Sequence, residues 1–81
     1  MRLPRDLAGR DLVRALDRAF AYRQVHREGS HIILQTDSPR HHRIPIPDHK
    51  TLRLGTLNAI LQAVARAHGL SKEEVAKRLF G

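Results

Sequence analysis

The apolar residues of this 81-residue chain change period twice, and that change limits the folds open to it. Leu12, Val13, Leu16, Ala19 and Phe20 recur at helical spacing, with Arg10, Arg14, Asp17 and Arg18 largely opposite them. Such a stripe predicts an amphipathic helix from Arg10 to about Ala21, with Gly9 at its start. From Tyr22 the period drops to that of a strand: Arg23, Val25 and Arg27 alternate with Tyr22, Gln24, His26 and Glu28, which predicts a half-exposed strand. His31-Ile32-Ile33-Leu34-Gln35-Thr36 is rich in β-branched residues and predicts the central strand of a sheet. Asp37-Ser38-Pro39-Arg40 is turn chemistry. A third strand, about His42 to Ile46, contains Pro45, which donates no ladder hydrogen bond and so belongs at an edge or an end.

Helical spacing then returns at Leu57, Ile60, Leu61, Val64 and Ala65, entered at Gly55-Thr56 and stopped by Gly69 after about His68. Ser71 and Glu74 stand as in a capping box and open a short helix through Val75, Ala76 and Leu79. The order helix, three strands, helix, helix predicts a single α+β domain over residues 1–81. Its sheet would be three-stranded and antiparallel, with the helices packed on one face. Residues 1–9, polar and broken by Pro4 and Gly9, read as a flexible lead-in.

A core of this size is marginal alone, which leaves room for stabilisation by a partner or by a homodimer. With no cysteine, neither a disulfide framework nor a thiolate zinc site can form. The charged start, Met1-Arg2-Leu3-Pro4-Arg5-Asp6, lacks the apolar run of a signal peptide, and no stretch approaches a membrane span. The expectation is a cytoplasmic protein with no membrane partner. Fifteen Lys and Arg against 8 Asp and Glu give a formal charge of +7, most of it on Arg, whose planar fork suits phosphate. Solubility alone also accounts for such a balance, so charge by itself does not choose a ligand.

The chemistry concentrates at Arg27-Glu28-Gly29-Ser30-His31. Gly29 and Ser30 make a tight turn between two strands, because Gly reaches backbone angles closed to other residues. The turn fixes His31 at the mouth of a strand. Histidine both takes and gives a proton near neutral pH. Two readings of His31 follow, a proton-transfer group or a strand-start residue whose ring caps the turn. Six histidines raise the question of zinc, but there is no cysteine and no i, i+4 His pair on a predicted helix, so no metal and no cofactor are expected.

Three motifs occur in order: Gly29-Ser30-His31, Pro47-Asp48-His49, and Gly55-Thr56-Leu57 with Ile60-Leu61. In order and spacing the chain resembles, from about Gly9 to Val75, the HicA family of toxin mRNA interferases, also called YcfA-like. The resemblance implies a fold like that of double-stranded-RNA-binding domains, α-β-β-β-α, here with a short extra C-terminal helix. It also implies a ribonuclease that cleaves mRNA, single-stranded or structured, and is silenced by an antitoxin protein of the HicB type. His31 matches the family's catalytic histidine, and Gly29 and Ser30 match the turn that presents it.

RNA carries its own nucleophile in the 2′-hydroxyl, so one histidine with neighbouring cations suffices in principle for metal-independent cleavage. Arg27, across the turn, and His49, Lys50 and Arg53 are the candidates for RNA contact, although a loop histidine such as His49 can equally be solvated. Adjacent His41 and His42 face opposite sides of a strand, so at most one can join His31 on a given face.

The chain departs from the family at Ala21-Tyr22, where Gly followed by Phe or Trp is usual. It keeps only Lys50 and Arg53 of the cations that often follow Pro-x-His, and its second helix is about one turn longer. The competing reading is a non-catalytic RNA-binding domain of the same fold in which His31 is structural. Such domains usually show a Lys-rich start to the last helix, whereas this one begins Gly55-Thr56-Leu57-Asn58. A third is an interaction protein with a basic face for an acidic partner.

Overall fold

The computed structural model describes residues 3–81, so Met1 and Arg2 of the expected lead-in lie outside the described residues. Helix α1 spans Gly9–Phe20 and buries Leu12, Ala15, Leu16 and Phe20. In place of a capping side chain, the Asp11 carboxylate reaches back to the Ala8 N–H at 3.1 Å. The helix stops one residue before Ala21, which takes a left-handed φ of 58° and gives its N–H to the Asp17 carbonyl at 3.0 Å. Before α1, Leu3 and Leu7 rest against the core, and the Leu52 N–H donates to the Leu7 carbonyl at 2.7 Å.

Strands β1 (Arg23–Glu28), β2 (His31–Thr36) and β3 (His42–Pro47) form one antiparallel sheet in the order β1-β2-β3. The proline-bearing strand is at an edge, as Pro45 predicts, and β2 is central. Register pairs Ile32 with Ile46, Leu34 with Ile44 and Thr36 with His42, which sets these six on the side facing the helices. His31, Ile33 and Gln35 pair with Pro47, Pro45 and Arg43 on the opposite side. Ile33 is buried there without joining the main core.

The expected half-exposed alternation of β1 is corrected by the structure. All six of its residues are exposed, and Tyr22 is not in the strand but fully buried ahead of it. A bulge between Gln24 and His26 leaves Val25 without a register partner and shifts the phase. Arg23, His26 and Glu28 therefore share the face of His31, while Gln24 and Arg27 share that of Leu34 and Ile32. The helices reach β3, as contacts from α1 and α2 show, and β1 is left at the far edge with nothing to bury.

Helix α2, Leu54–His68, buries the predicted stripe Leu57, Ile60, Leu61, Val64 and Ala65 and ends at Gly69 with a φ of 66°. Helix α3, Lys72–Phe80, starts at Ser71, whose Oγ accepts the Glu74 N–H at 3.0 Å, the bond a capping box requires. Val75, Ala76 and Leu79 of α3 complete a core shared with α1, α2, β2 and β3. Among the described residues the one buried polar side chain, Thr36, gives its hydroxyl to the carbonyls of Phe20 (3.1 Å) and Ser38 (3.3 Å). Among the described residues no helix is long and apolar enough to cross a membrane.

Candidate active site

The hairpin turn between β1 and β2 is built as its residue types require. Gly29 takes a φ of 57°, in the region where a side chain is strained, although an added Cβ would meet nothing within 4 Å among the described residues. Glu28 and His31 close the hairpin as cross-strand partners. His31 is exposed, on the sheet face opposite the main core. It stands at the mouth of a shallow groove of about 380 Å³ between β3 and α2, lined also by Pro45, Pro47, Thr56, Ala59 and Ala63.

Three chain segments distant in sequence are locked together behind this turn. The Asp48 N–H donates to the Ser30 carbonyl at 2.7 Å, so the Pro47-Asp48-His49 motif is fastened to Gly29-Ser30-His31. The Gly9 N–H donates to the His49 carbonyl at 2.9 Å, bringing in the start of α1. Gly9 permits that approach because it has no side chain: a Cβ there would overlap the Pro47 carbonyl oxygen. The Asp48 carboxylate closes the cluster. Arg10 donates to it from Nε and Nη2, both at 3.2 Å, and Arg27 from Nη2 at 2.8 Å. These donors, Arg27 first and then Arg10, hold the Asp48 carboxyl below the usual carboxylate range.

Of the expected RNA-contact residues, Arg27 is therefore an engaged cation, half-exposed and paired with Asp48. His49 and Lys50 are exposed in the loop after β3, and Arg53 is exposed at the N-cap of α2. The structure brings His49 to the turn through its backbone, by way of Gly9 and Asp48. Neither adjacent histidine joins His31. The His41 ring meets Asp37 at 3.2 Å in the loop, and His42 points to the helix side, where its Nδ1 meets the Tyr22 hydroxyl at 2.7 Å.

Arg10, Asp48 and the packing role of Gly9 are what sequence reasoning missed. Asp48 lies inside the Pro47-Asp48-His49 motif, but its partners are 38 and 21 positions away. Gly9 reads from sequence only as a helix start.

A second polar cluster lies apart from the turn. The Tyr22 hydroxyl bridges His42 and, at 3.1 Å, the Nε2 of His68. Burial pushes the Tyr22 hydroxyl up to about 12. It also holds both imidazoles below their ordinary value, with His41 adding to the effect on His42, and His42 and Arg78 adding to that on His68. Among the described residues no three His, Cys, Asp or Glu side chains converge as metal ligands would.

The sequence model of the HicA toxin of bacterial toxin-antitoxin systems matches residues 9–65, from the close-packed Gly9 to the buried face of α2. Comparisons with curated proteins and with solved structures return no match.

Proposed function

The chain belongs to the HicA toxin family of bacterial toxin-antitoxin systems, and from that premise we propose that it is a metal-independent endoribonuclease that cleaves mRNA. In the proposed reaction His31 takes the proton from a ribose 2′-hydroxyl. The 2′-oxygen attacks the adjacent phosphorus, the bond from phosphorus to the 5′-oxygen breaks, that leaving oxygen takes a proton from water, and the His31 imidazolium releases its proton to solvent, so no net proton is consumed. The products are a 2′,3′-cyclic phosphate end and a free 5′-hydroxyl. Positioned proton transfer of this kind contributes roughly 100- to 10,000-fold. Lys50, Arg53 and His49 lie on the loop fastened to the turn and supply phosphate contacts.

The observation that carries this reading is the state of His31. Its ring is exposed beside a groove, and among the described residues no side chain hydrogen-bonds to it, whereas His41, His42 and His68 are each engaged. A ring that served to cap the turn would be bonded to it. Family membership implies a cognate antitoxin, and a HicB-type protein that covers His31 is the expected one.

The test is cleavage of a 5′-labelled mRNA in EDTA by the parent and by His31→Ala, both checked for folding by circular dichroism. Cleavage by the parent that is lost in the variant is the expected result. No cleavage by either, with RNA binding unaltered by the substitution, would overturn it in favour of a non-catalytic RNA-binding domain.

A further inference from the structure

We propose that Arg10 and Arg27, held in place by Asp48, form a clamp for an RNA backbone phosphate next to the one cleaved, with Asp48 as the positioning residue. The inference rests on the ribonuclease reading of His31 and concerns residues outside the proton transfer. Two guanidiniums from different elements, α1 and β1, converge on one carboxylate. The carboxylate is mostly covered, with 14% of its side chain exposed, while Arg10 and Arg27 keep 68% and 44% exposed. Most N–H groups of both guanidiniums have no partner among the described residues.

The charge count suits a phosphodiester. Two positive charges and one negative leave a single excess positive charge, which one monoanionic backbone phosphate neutralises. Without Asp48 the two cations would repel and scatter. With it their forks are set before RNA arrives, so less side-chain freedom is lost on binding.

Placement explains why this is a neighbouring phosphate. Arg27 is on the helix side of the sheet and His31 on the other, with Glu28, Gly29 and Ser30 between them. Asp48 is bonded to the carbonyl of Ser30, the residue before His31. A strand of RNA crossing the end of the hairpin would present one phosphate to His31 and the next to the clamp. The clamp would then set which phosphodiester lies at the imidazole.

The test uses a single-stranded RNA oligonucleotide, with binding measured in the non-cleaving His31→Ala background and turnover in the parent. Arg10→Ala should reduce the slope of log affinity against log salt by about 0.7, the loss of one phosphate contact on a single strand. In the parent it should raise KM roughly tenfold, the worth of one charge-assisted contact, with kcat little changed. Arg10→Lys should restore the slope and only part of the affinity, because Lys offers a point charge without the fork.

Asp48→Asn separates positioning from bracing. As a positioning residue it should lower kcat while leaving low-salt RNA affinity about equal, because the lost preorganisation and the removed negative charge offset each other. A salt slope in folded Arg10→Ala equal to that of the parent would overturn the clamp. So would loss of antitoxin binding alone, which would assign the cluster to a protein interface. A parent that binds with the expected slope changes but does not cleave would sink the ribonuclease reading and keep the phosphate site.

Discussion

Replacing Gly9 by alanine sets two opposing effects against each other, and the structure decides the sign. In a helix the change from Gly to Ala usually stabilises by roughly 0.5–1 kcal/mol. Here the new Cβ would overlap the Pro47 carbonyl oxygen and stand 3.0 Å from its carbon and 3.3 Å from Cα of Asp48. All three are backbone atoms, so no rotamer change relieves the overlap. The start of α1 must part from the 47–49 loop, an overpacking cost of about 1–3 kcal/mol. The Gly9–His49 bond at 2.9 Å is lost with it, about 1 kcal/mol more. The net expectation is a loss of about 2 kcal/mol, or roughly 10 °C in melting temperature for a domain of this length. Gly55→Ala is the control, because its Cβ would meet nothing within 4 Å among the described residues; it should be neutral or stabilising by up to about 1 kcal/mol. Thermal melts followed by circular dichroism measure both. A Gly9→Ala protein melting at or above the parent temperature would refute close backbone approach as the reason for glycine at this position.

Ala21 holds a φ of 58°, so Ala21→Gly should relieve left-handed strain and raise the urea midpoint by the equivalent of about 0.5–1 kcal/mol; a lower midpoint contradicts this. Tyr22→Phe removes the hydroxyl that bridges His42 and His68 and should destabilise by about 1–2 kcal/mol, whereas an unchanged denaturation curve would make the bridge idle. Because burial depresses both imidazoles, the unfolded chain binds protons before the folded one does. Stability should therefore fall as pH drops from about 6.5 toward the folded values and level off beneath them. Urea titrations across that window check the sign, and His68→Gln should flatten the slope; a flat profile in the parent would be the contrary result.

Local signals were legible because they need only neighbours. The α2 stripe Leu57, Ile60, Leu61, Val64 and Ala65 is the buried face, Ser71 caps α3 as its spacing to Glu74 implies, and Pro45 sits on an edge strand. The phase of β1 was not legible, since one unpaired residue at Val25 inverts the pattern and no residue type announces it. Tyr22 reads from sequence as a strand residue because its hydroxyl partners lie 20 and 46 positions away. The same limit applies at the candidate site. Gly29, Ser30 and His31 are contiguous and can be read together, whereas Gly9, Arg10, Arg27 and Asp48 meet only once the chain has closed on itself.

The family pattern stops at residue 65, but the core does not. Val75, Ala76 and Leu79 fill it from α3, and Arg18 donates to the Leu79 carbonyl at 2.8 Å. The matched stretch is thus shorter than the stretch of chain that builds the core. A fragment cut where the signature ends would keep every atom of the hairpin turn and its clasp, and would lose the surface that makes their geometry permanent.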